Sequence, residues 1–137
     1  MKSYGLKKRI AAMMTVSVLA IWFALPNVAN AQTITIEGRN IYVTLVATSS
    51  SATATITYTE GSGQVKASTQ GFAHHKDTPA LITPVSDSSS NPTPGGATAS
   101  ISLPSGYSFI SVYSSCEYEV YINGTTYKDT ISDSWNF

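Results

Sequence analysis

The chain has 137 residues, eight Lys/Arg against eight Asp/Glu, a formal net charge of zero and one cysteine. A single cysteine excludes an intramolecular disulfide framework. Without a Lys/Arg cluster beyond the first ten residues, the chain has nothing to neutralise a nucleic-acid backbone, so nucleic-acid binding is not expected.

The first predicted element is an export address. Lys2, Lys7, Lys8 and Arg9 precede an uncharged apolar run from Ile10 to Leu25, which Pro26 ends as a helix. Ala29-Asn30-Ala31 then offers the small-x-small pattern that signal peptidase reads. The run falls short of the roughly 20 residues that span a bilayer, and no cysteine stands at the cut to carry a lipid. The pattern predicts a signal peptide over residues 1–31, cleaved after Ala31, and one secreted, extracellular domain over 32–137, with a bacterium as the host. Within 32–137 remain four basic residues, Arg39, Lys66, Lys76 and Lys128, and all eight carboxylates, a formal charge of −4. No stable membrane insertion is expected after cleavage.

Beyond the leader, period-two alternation predicts strands throughout. Thr33 to Ile36 forms the first, Glu37 to Asn40 a turn, and Ile41, Val43 and Leu45 one face of the next. From Ala52 to Thr59, Ala52, Ala54, Ile56 and Tyr58 oppose a threonine face, the pattern of a strand with one dry side. Glu60 to Gly63 reads as a turn into a partner strand at Val65, Ala67 and Thr69. Ala80 to Thr83 reads as a short strand, and residues 84–96, rich in Pro, Gly and Ser, as a flexible loop. Alternation returns at Ala97, Ala99, Ile101 and Leu103.

Tyr107 to Ile122 is the longest alternating segment, with a bulge or break expected at Ser114-Ser115. Asn123-Gly124 follows, suited to a type I′ turn because both central residues need positive φ. A two-residue turn sets Ile122 against Thr125, Val120 against Tyr127, Glu119 against Lys128 and Cys116 against Ile131. It also sets Asp129 against Tyr118 on the dry side, so the carboxylate must lie at an edge or meet the phenol. Together these elements predict an all-β fold, a small β-sandwich of about 7–8 antiparallel strands with Greek-key, immunoglobulin-like connections. A small closed β-barrel is the alternative. The terminal Phe137 echoes the last residue of outer-membrane barrels, but the threonine face at Thr53 to Thr59 supplies no lipid-facing band.

Few residues suggest chemistry. His74 and His75 are adjacent and diverge in an extended segment; His75 with Asp77 gives half a metal site, and zinc normally takes three or four protein ligands. No metal, cofactor or catalytic residue is therefore assigned. Cys116 reads as a buried small hydrophobe, and Glu117 with Glu119 as a solvated face. The abundant serines occupy no nucleophile elbow, and Asn123-Gly124-Thr125 is explained by its turn.

Tyr107, Phe109, Tyr113 and Tyr121 share the odd face of the long strand, and Trp135 lies close to the end of the chain. These five are the candidate ligand-binding residues, for a cell-surface glycan or a protein, unless the chain itself covers them. The resulting expectation is a non-enzymatic binding or adhesion-type protein acting at or outside the cell surface. One alternative is a secreted effector such as an antibacterial protein or inhibitor. Another is a self-assembling protein, a homo-oligomer pairing through its N-terminal strand.

Overall fold

The computed structural model describes residues 15–21 and 28–137, and of residues 15–21, 28 and 29 the backbone alone. The leader's basic residues and Pro26 lie outside the described residues. The seven strands described are β1 (Thr15–Ile21), β2 (Val28–Ile36), β3 (Arg39–Ala47), β4 (Ser51–His75), β5 (Thr78–Ser102), β6 (Tyr107–Ile122) and β7 (Thr125–Asn136). They form one antiparallel sheet in the order β1-β2-β3-β4-β6-β7, with β5 on the other edge of β4. The sheet curls into a half-barrel. No helix occurs among the described residues, and none there is long and apolar enough to cross a membrane.

Within the apolar run from Ile10 to Leu25, Thr15 to Ile21 is extended and pairs with β2, Thr15 opposite Thr35 and Ile21 opposite Ala29. Four of those seven residues are β-branched, which favours a strand where no bilayer selects a helix. Ala31, the residue before the expected cut, thus lies in mid-strand, opposite Thr44 of β3.

Two sequence expectations are corrected in β4 and β5. Residues 53–59 and 65–69 do not form a hairpin; they are consecutive parts of β4, bent between Tyr58 and Gly63. Residues 84–96 are not a loop but the middle of β5, paired with β4 on both sides of that bend. The prolines at 79, 84, 92 and 94 are tolerated because β5 is an edge strand, where a missing N–H breaks no second ladder.

Straight, 25 residues of strand would reach about 80 Å. Instead both ends of β4 meet the start of β6. His75 pairs with Tyr107, and the Phe109 N–H donates to the Ser49 carbonyl just before β4 at 2.7 Å. The β4–β5 ribbon is therefore folded double. Gly63 permits the bend: its φ is +148°, and a Cβ there would lie 2.2 Å from the Glu119 carbonyl oxygen. Glu60, at the same bend, is held by the β2–β3 turn: its carboxylate accepts from the Asn40 N–H at 2.9 Å and its carbonyl from Arg39 Nη1 at 3.0 Å.

The concave side carries the core, with Ile36, Ile41, Leu45, Ile56, Tyr58, Val65, Val112, Cys116, Val120, Ile122 and Tyr127 almost fully buried. The curl brings the inner faces of β2 and β7 together. Asn30 Nδ2 donates to Asp133 Oδ2 at 3.0 Å, and the Tyr127 hydroxyl donates to the Glu37 carboxylate. The β6–β7 hairpin has the register read from the sequence, Ile122–Thr125 through Cys116–Ile131, around Asn123 (φ 51°) and Gly124 (φ 78°). Asp129 is exposed opposite buried Tyr118.

Candidate functional site

The five candidate aromatics do not share one face. The expected irregularity at Ser114-Ser115 is absent: those residues sit in unbroken β6, and Ser114 bonds buried Thr69 at 2.7 Å. The bulge instead falls at Ile110, where Phe72 pairs with Ser111 but Ala73 pairs with Phe109. One extra residue reverses the parity of everything before it. Phe109 therefore turns into the core at 2% exposure, and Trp135, opposite Val112, is buried at 7%. Phe109 offers no surface ring, whereas Trp135, though buried, lines the same recess as Tyr113.

Tyr107, displaced by the same bulge, stands at the start of β6, edge-on to the His75 ring at 4.8 Å. Tyr113 and Tyr121 stay on the convex face, 43% and 48% exposed, eight residues or roughly 26 Å apart along the strand. They cannot grip one small ligand together.

Tyr113 does border a recess that the sequence reading missed. A cavity of about 480 Å³ crosses β5, β4, β6 and β7. Its exposed lining includes Gln70, Phe72, Pro84, Tyr113, Ser134 and Asn136. The register explains the grouping: Gln70, Tyr113 and Ser134 form one cross-strand row, and Pro84, Phe72, Ser111 and Asn136 the next. Phe72, at 51% exposure, is the second ring of the site. It could have been found by extending the wet-face series Gln64, Lys66, Ser68, Gln70 by one more step.

Chemically the lining is rings, amides, hydroxyls and the aliphatic Val85 and Val112, and its sole titratable side chain is the Tyr113 phenol. Such a surface can stack on a flat apolar face and exchange neutral hydrogen bonds. It holds no base to activate Ser111 or Ser134.

The other sequence candidates lie apart from it. His75 Nδ1 accepts the Asp77 N–H at 3.1 Å and is 3.7 Å from its carboxylate. No group of three or more His, Cys, Asp or Glu placed to hold a metal occurs among the described residues. Cys116 is fully buried, and desolvation pushes its thiol from 9.0 up to about 12. Glu117 and Glu119 project from β6 opposite Lys66 and Lys128 respectively. No protein-family model matches the chain, and no curated protein or solved structure is similar to it.

Proposed function

We propose that the chain is a secreted, non-enzymatic binding protein, cut after Ala31, whose residues 32–137 act as one domain at or outside the cell surface. The recess between Phe72 and Tyr113 carries this reading. Two half-exposed rings set among Gln70, Ser134 and Asn136 present the mix of stacking face and neutral hydrogen-bonding groups that suits a sugar chain. Tyr121 extends the same convex face, and Tyr107 lies off it. The doubled β4–β5 ribbon supports reading the half-barrel as the two leaves of a β-sandwich.

The test is retention of the exported protein on insoluble cell-wall polysaccharide, comparing wild type with Phe72→Ser/Tyr113→Ser. Both side chains are half-exposed, so the double variant keeps its circular dichroism spectrum while retention falls at least tenfold. Equal retention by the folded variant would reject the site. Retention on cell-surface protein alone would replace the glycan with a protein ligand.

A further inference from the structure

We infer that the leader covers an uncharged edge of β2 and β3, and that its removal lets a second copy of the chain pair there. The inference rests on the cut after Ala31 proposed above. An open edge invites pairing with other chains unless charges, prolines or local caps blunt it.

Two of the three edges are blunted. β7 bears Lys128, Asp129 and Asp133. β5 bears its four prolines, and Asp87 Oδ2 folds over to accept the Ser100 N–H of the same strand at 2.8 Å. On the third side β1 is outermost, and β2 and β3 behind it are covered within the chain itself. Val28 to Ala31 pair with Ala47 to Thr44 of β3, and Thr15 to Val18 pair with Thr35 to Gln32 of β2.

Cutting after Ala31 removes β1 and the first four residues of β2. Two stretches of backbone then lose their neighbours: Gln32 to Thr35, and Thr44 to Ala47. Neither contains a charge or a proline. Thr33-Ile34-Thr35-Ile36 alternates branched polar and buried apolar residues, a strong strand pattern with no gatekeeper. The pairing with β1 shows that this edge accepts an antiparallel strand in regular register.

The occupant is the same edge of another copy. Antiparallel pairing of an edge with itself is satisfied by a twofold axis, which closes a dimer rather than propagating a fibre. The blunted outer edges of β5 and β7 likewise oppose further growth.

The experiment expresses the full chain in a secreting host. Intact mass of the exported protein reads the cut first, and sedimentation equilibrium then reads the assembly. The processed wild type is expected to be a dimer. Thr33→Lys/Thr44→Lys, which places charges on the outer face beside the opened edge, is expected to keep the β spectrum and weaken association at least tenfold. Should that variant misfold, hydrogen exchange on the wild type decides: the alternate amides of 32–35 and 44–47 that point away from β3 and β4 are protected in the dimer and exposed on dilution. A processed wild type that stays monomeric overturns the proposal, as does undiminished association of the folded variant or absence of that protection. A chain retained in the cell overturns the secretion reading, and one exported with its leader intact overturns the cut after Ala31; either ends this inference before any sedimentation is run.

Discussion

At Cys116, burial sets both reactivity and pH dependence. The folded thiol holds its proton to about 12, whereas an unfolded one ionises near 9.0. Between those values the unfolded state releases a proton that the folded state keeps, so stability falls as pH rises, by at most about 1.4 kcal/mol per pH unit. Urea denaturation at pH 8 and pH 10.5 should show that loss, and Cys116→Ala should reduce it. An equal loss in the variant would place the linkage elsewhere. Tyr118 moves in the same direction, through desolvation first and the Asp129 charge second, so part of the slope survives the substitution. The buried Tyr118 hydroxyl has no hydrogen-bond partner. Tyr118→Phe should therefore leave stability unchanged or raise it by up to about 1 kcal/mol, because an unsatisfied group costs more than its removal. A drop of that size in a urea melt would show the phenol to be bonded.

Among the elements, the β4 bend and the β6–β7 hairpin carry the sharpest expectations. Gly63→Ala needs a positive φ and drives a methyl into the Glu119 carbonyl, so it should cost about 2 kcal/mol or more in a thermal or urea melt. Gly124→Ala meets no neighbouring atom and strains only the turn, so about 1 kcal/mol is expected. Reversal of that order would mean that β4 does not bend at Gly63. These two places also mark what the sequence disclosed. The hairpin was legible down to Glu119 against Lys128 because turn chemistry and alternation are both local. β4 was misread because Glu60 to Gly63 has turn composition, while only long-range pairing with β5 and β6 decides that the chain runs on. β5 was misread because its prolines exclude a central strand but not an edge strand. Phe109 was misplaced by a single bulged residue, Ile110, and no alternation pattern can tell which residue of Phe109-Ile110-Ser111 is the extra one. The candidate site suffered accordingly: of the five aromatics, Tyr113 and buried Trp135 line the recess, Phe109 lies in the core, and the exposed ring of Phe72 goes unnoticed in the sequence.

Over the whole molecule, a convex recess with rings at Phe72 and Tyr113 and a concave apolar core divide the work of the sheet. The folded-back β4–β5 ribbon shares one apolar core with β2, β3, β6 and β7. The recess spans four strands and so is fixed by the sheet rather than by mobile loops, the arrangement expected of a preformed binding surface. Its occupancy by a neutral sugar chain is the claim on which the functional account turns. An NMR titration of the exported, processed protein with soluble cell-wall oligosaccharides tests it most directly. The account predicts saturable amide shifts grouped at Gln70, Phe72, Tyr113, Ser134 and Asn136. Shifts confined to Tyr107 and His75, or no shifts with any oligosaccharide, would contradict it.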